Sequence, residues 1–346
     1  MEDLLDRHEL MQNRSMAALV NRGVAFAKLA GLRAAAAAAD PSFKLPADPQ
    51  SLEQIFARRL ASLPAERRAK AAAHARRVFA ATTAVRTRSF RELAVLDPKP
   101  ALAVSERASA ATFPIAFDAA EFIAALPAAA PPPPPPSPGG PPNKALQVRI
   151  RRVVCEDETD AAFGSEAGHD EIGMGGVSID ETGAVKKISA FTVGTNFDDG
   201  DKKVYDPPKV FETWDLNEGS RWPKPYTLAI YLSELDNGGF PSFLSETIGG
   251  VKTYLLSLLG GAIGSIGGPL AAAIGAALGF ILDVLISWLI SIWEDDIFPA
   301  ITIATNIKSF DHTFASGTQT SGVKKYWTKA HGGKYWVWLD WRIVNG

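Results

Sequence analysis

Cysteine is all but missing: Cys155 is the single one in 346 residues. No intrachain disulfide can staple this chain, and a structural zinc site built on thiolates is excluded. Histidine is scarce, with five in all, and no two stand at i and i+4 as a helical zinc site requires. There is no Gly-x-Ser-x-Gly elbow, since "GFPSFLS" lacks that spacing, and no Gly-rich phosphate loop running into Lys-Ser/Thr. Asp311 and His312 adjoin each other without a nucleophile nearby in sequence, His331 precedes two glycines, and His169 is at best an accessory ligand. The expectation is a protein that is not an enzyme. The N-terminus, "MEDLLDRHELMQNRSMAALV", lacks the apolar core and cleavage site of a secretory signal. The chain is therefore expected to be made in the cytoplasm, and either exported by a dedicated machinery or membrane-associated. Charge of one sign is lacking too: residues 1–143 carry 18 Lys/Arg against 13 Asp/Glu, and residues 144–346 carry 18 against 25. A surplus so small and dispersed gives no dense basic face, so nucleic acid is not an expected partner.

What is present divides the chain in two. "AAAPPPPPPSPGGPPN", residues 128–143, can form neither helix nor sheet and reads as a stiff polyproline II spacer ended by a glycine pair. Residues 1–127 are Ala- and Arg-rich with helical spacing. A first helix runs towards Ala39, Ser51 caps a second before Leu52, Ile55, Phe56 and Leu60, and Pro64 opens a third. Alanine does much of the filling, so this region is expected to be marginally stable alone and to act in docking or delivery. After the spacer the pattern changes. "LQVRIRRVV", "VKKISAFTVG", "KVFETWDL", "YTLAIYLSEL" and "KYWVWLDWRIV" read as strands between Gly, Pro and Asp clusters. In the last, Tyr335, Val337, Leu339, Trp341 and Ile343 share one face, and Trp336, Trp338, Asp340 and Arg342 the other. The expected fold is multidomain α and β: a helical region (1–127), a proline-rich linker (128–143), and an antiparallel β-sandwich (144–346) able to fold without the first region.

Into that β-domain, at 247–293, an apolar helical hairpin is inserted. Thr253 to Leu282 contains no charge. A turn is expected at "GSIGGP", with Pro269 at the first position of a helix whose roughly 24 residues span about 36 Å, enough to cross a hydrocarbon core. Leu255, Leu258, Ile266, Leu270, Ile274, Leu278, Phe280, Leu285 and Trp288 are the candidate membrane-inserting residues. Gly260, Gly264 and Gly268 recur every four residues, as do Gly275 and Gly279, which lets helices approach closely in lipid or in protein. Asp283, Ser287 and Ser291 form a polar stripe that faces water or lines a path between helices. The same hairpin could equally be a buried pair in a globular core, or an interface in a homo-oligomer.

Carboxylates cluster at loop ends: Asp157 and Asp160 after the first strand, Asp170 at the start of the next, and Asp198, Asp199 and Asp201 around Gly200. Calcium takes six to eight oxygens, which such loops can supply, although Asp and Gly are also ordinary turn residues and the spacing is not that of an EF-hand.

The Gly/Ala/Ile/Leu-rich stretch from Val251 to Trp293 resembles the apolar hairpins of colicin-like pore-forming toxins, which are water-soluble until they meet a bilayer. The β-domain, with its acidic loops "CEDETD" and "NFDDGD", looks similar to C2-type sandwiches that bind membranes through calcium. These resemblances imply a membrane-active effector or toxin that inserts the hairpin into a lipid bilayer to perforate or anchor, with a delivery or assembly partner for the N-terminal region. The alternative is a non-catalytic structural or interaction protein with the hairpin permanently buried.

Overall fold

A computed structural model describes residues 14–101, 103–104, 144–158, 170–218, 222–234, 240–258, 269–292, 297–315, 317–330 and 332–345. The proline-rich spacer lies outside them. Helices come first in the chain and strands follow, with one further pair of helices among the strands.

The longest N-terminal helix, α1 (Arg14–Ala37), is buried nearly all round. Its alanines explain how: Ala25, Ala27, Ala30 and Ala34 to Ala36 have no more than 1% exposure, so neighbours approach its backbone from several sides. Against it pack α2 (Leu52–Ser62), α3 (Ala65–Ala80) and α4 (Thr83–Phe90). As expected, the Ser51 hydroxyl accepts from the Gln54 amide at 3.4 Å to start α2, and Pro64 immediately precedes α3. Arg33 on α1 is wholly buried. It donates to the carbonyls of Pro98 (2.8 Å), Lys44 (3.0 Å) and Pro100 and pairs with the Glu53 carboxylate, which also accepts from the Val104 amide (2.8 Å). Buried charges persist only when so fully satisfied.

The strands form two four-stranded antiparallel sheets. One has the order β4 (Lys202–Asp215), β1 (Lys144–Asp157), β8 (Gly333–Asn345), β7 (Lys324–Ala330). The other has the order β3 (Val185–Phe197), β2 (Asp170–Ile179), β5 (Lys224–Glu234), β6 (Ile301–Ile307). The alternation read from "KYWVWLDWRIV" holds: Tyr335, Val337, Leu339, Trp341 and Ile343 are at most 3% exposed and join Val148 and Ile150 in a core shared with Met174, Leu228 and Ile230 of the other sheet. Trp214 links the sheets, its ring 5.8 Å from Trp341 and 5.2 Å from Tyr226. The sequence reading named neither β6 nor β7.

Helices α5 (Phe240–Leu258) and α6 (Pro269–Ile292) stand between β5 and β6, which are themselves paired with Ile230 opposite Ile301. Pro269 opens α6 as expected. Helix α5 begins seven residues before Thr247, where it had been expected, because Phe243, Leu244, Ile248, Val251 and Leu255 extend one buried stripe at helical spacing to its N-terminus.

A second core gathers the helices and the remaining face of the second sheet. Val177, Ile179, Ala229 and Tyr231 point into it, away from the intersheet core. Strand β5 is thus buried on both faces, which accounts for "YTLAIYL" being apolar at every position but Thr227. The two cores divide at this sheet, whereas the composition divides at the spacer.

Candidate functional site

The α5–α6 pair lies between the second sheet and α1. On α6, Leu278, Ile281, Leu282, Leu285, Ile286 and Leu289 have no exposed surface, and on α5 neither do Val251 and Leu255. Two glycines set the spacing. A Cβ on Gly279 would stand 2.8 Å from Cγ2 of Thr227 on β5, and a Cβ on Gly23 of α1 would stand 2.7 Å from Cδ1 of Ile281. A side chain at either position would force its neighbour to shift, so the two glycines favour the close approach of α6 to the sheet and of α1 to α6.

Polar ties cross the same junction. Arg22 of α1, 5% exposed, donates from Nε to the Tyr254 hydroxyl at 3.0 Å and sits 3.5 Å from the Glu92 carboxylate. Phe26 stacks on Tyr254 with centroids 4.0 Å apart, and Phe56 of α2 meets Phe243 edge-on at 5.3 Å. At the rim, Arg58 of α2 pairs with Glu246 of α5 at 2.7 Å, both about half exposed. The Lys28 ammonium stands 5.9 Å from the Trp288 ring, and burial holds its pKa below the usual lysine range.

Of the candidate inserting residues, Leu255, Leu278 and Leu285 are therefore core, while Phe280 and Trp288 are partly buried against it. The side chains of Leu258, Leu270 and Ile274, and all of Ile266, Gly260, Gly264 and Gly268, lie outside the described residues, as do the surroundings of Pro269, Gly275 and Asp283. Ser287 and Ser291 are exposed, and the Ser291 hydroxyl donates to the Trp288 carbonyl at 2.6 Å. Among the described residues no helix is long and apolar enough to cross a membrane.

The acidic loops are arranged as turns. Gly200, at φ 84°, donates to the Cys155 carbonyl (3.0 Å), and the Cys155 amide donates to that of Asp201 (2.9 Å). The Asp199 carboxylate accepts from the Glu158 amide (2.7 Å), and that of Asp201 from the Asp198 amide (3.1 Å). Asp157 is exposed where β1 ends. Asp160 and the side chain of Asp170 lie outside the described residues, and among those described no three His, Cys, Asp or Glu gather to hold a metal ion.

Sequence reasoning missed Arg22 and Gly23, neighbours on a helix whose apolar spacing drew the attention. The chain matches no protein-family model, and no curated protein or solved structure is significantly similar to it.

Proposed function

We propose that the protein is a membrane-active effector or toxin in its closed, water-compatible form. In this reading the two sheets are a β-sandwich, α5 and α6 are its apolar helical hairpin, and α1–α4 are a cover that leaves before the hairpin enters a bilayer to perforate or anchor. One observation carries it. The face of the α5–α6 pair turned away from the sheet is buried by helices that precede the whole β-region and join it only through residues 105–143. An apolar surface that large demands burial in water. Assigning the task to a separate, alanine-packed segment leaves a route to uncover it. The small-residue and exposed serine positions of α6 would then serve helix association in lipid, and the freed N-terminal helices would remain available to a delivery or assembly partner.

A second reading, a permanently buried pair in a non-catalytic interaction protein, is favoured by the close fit of Gly279 to Thr227 and of Gly23 to Ile281. The two separate by experiment. In a Cys155→Ser background, Arg58→Cys and Glu246→Cys would be joined by a cleavable thiol cross-linker, tying α2 to α5. The uncross-linked protein should release dye from anionic liposomes, at neutral or acidic pH; the cross-linked protein should not, and cleavage should restore release. Leakage undiminished by the cross-link would show that the cover need not leave, and no leakage under any of these conditions would hand the case to the second reading.

A further inference from the structure

We propose that the outer face of the β4-β1-β8-β7 sheet is a docking surface for an anionic lipid bilayer. The register builds it in rows across the strands. Lys325, Trp338, Arg152 and Val204 stand opposite one another in one row, and Trp327, Trp336, Val154 and Lys202 in the next. Within these rows cations lie over rings. The Lys325 ammonium is 3.3 Å from the Trp336 centroid and 4.9 Å from that of Trp338, Lys334 is 4.9 Å from Trp336, and the Arg152 guanidinium is 4.0 Å from Trp338. Two carboxylates lie among the cations of this sheet, and each is engaged by them. Asp340 is buried beneath two guanidiniums, Arg149 at 2.7 Å and Arg151 at 2.6 Å, and Glu156 is shared between Lys334 at 2.8 Å and the Trp336 indole N–H. Between the charges, Trp327, Val204 and Val210 are 57%, 56% and 46% exposed. Among the described residues no helix packs extensively on this sheet, in contrast to the other.

Charge and shape select the occupant. Tryptophan and aliphatic side chains mixed with Lys and Arg on one flat face suit the headgroup region, where indoles sit at the interface and basic groups meet anionic lipid. Single-stranded nucleic acid, the other polyanion, binds aromatic sheets by stacking its bases on open rings. Here ammonium and guanidinium groups stand over Trp336 and Trp338, and the Lys334 ammonium is 5.9 Å from the Trp327 ring, which leaves little open ring for stacking.

This inference rests on the membrane reading for its choice of a bilayer, and it is tested by binding, separately from leakage. Full-length protein would be sedimented with vesicles of phosphatidylcholine alone and of phosphatidylcholine mixed with phosphatidylglycerol. Binding is expected on the mixed vesicles only, to weaken roughly fivefold for each cation removed in Lys325→Gln and Arg152→Gln, to weaken in Trp327→Ala, and to survive in Lys325→Arg, with thermal transitions of these surface variants unchanged. Equal binding to neutral vesicles, variants that bind as the parent does, or tighter binding to a single-stranded oligonucleotide than to anionic vesicles would each overturn it. The Arg58–Glu246 cross-linked protein should still dock while failing to leak. If docking behaves as stated and no form ever leaks, the insertion reading fails and this one stands.

Discussion

Lys224 stands at the start of β5 with no exposed surface, its ammonium donating to the carbonyls of Leu216 (2.7 Å) and Glu218, 3.7 Å from Glu181 and 4.7 Å from the centre of the Trp222 ring. Burial pushes the lysine below its ordinary pKa and the glutamate above its own. The sign follows by linkage. The folded state keeps the Glu181 proton to higher pH than the unfolded state does, so stability falls as pH rises from about 4.3 through the folded value. Lys224 acts oppositely at the alkaline end, where stability is recovered as pH approaches about 10.4. Removing the carboxyl in Glu181→Gln should therefore make the melting temperature of the variant, relative to the parent, climb between acidic and neutral pH; a difference independent of pH would contradict this. None of it was legible in the sequence. Arg33, Lys224 and Asp340 look like any surface charge there, because the carbonyls and partners that permit their burial come from distant segments. The strand face of Trp341 and Leu339 was legible, because a two-residue period is local.

At the scale of elements, glycine spacing was readable but its meaning was not. Repeated small residues mark a helix face that something approaches closely, and the sequence reading took that something to be another helix, in lipid or in protein. Among the described positions Gly279 instead admits a threonine of the sheet, and the glycine that admits α6 belongs to α1. Gly23→Leu should accordingly wedge α1 from α6 at a cost of about 1–3 kcal/mol, seen as a lowered thermal midpoint, and under the release reading it should raise leakage as well. Leu285→Ala, on a side chain with no exposed surface, should cost about 2–5 kcal/mol without that gain, since it hollows the core and leaves the junction closed. An unchanged midpoint in Gly23→Leu would mean that α1 does not lie as described. Strand β7 was overlooked because "KKYWTKA" puts Lys325, Trp327 and Lys329 on one side and Lys324, Tyr326, Thr328 and Ala330 on the other, so neither side is a run of large apolar residues. Seven such residues are a weak pattern without a partner strand.

For the whole molecule, the plain compositional break at 128–143 and the break between cores do not coincide. The intersheet core is complete within 144–346, whereas the helical core draws on both sides of the spacer. A protein consisting of 144–346 alone is expected to keep β-type circular dichroism and the near-ultraviolet signal of its packed tryptophans, as domain independence requires, yet to bind a hydrophobic dye that the full chain ignores. Dye binding no greater than that of the full chain would mean that α5 and α6 find burial without α1. Helix-then-strand order, Ser51 and Pro269 were legible; which segment lies over the two helices among the strands was not, because tertiary partnership leaves no local period. That partnership has a kinetic side. Helices and pair belong to one chain, so their reunion is unimolecular and independent of protein concentration. Dilution cannot part them, and whatever holds them apart must outlast a competitor that never diffuses away.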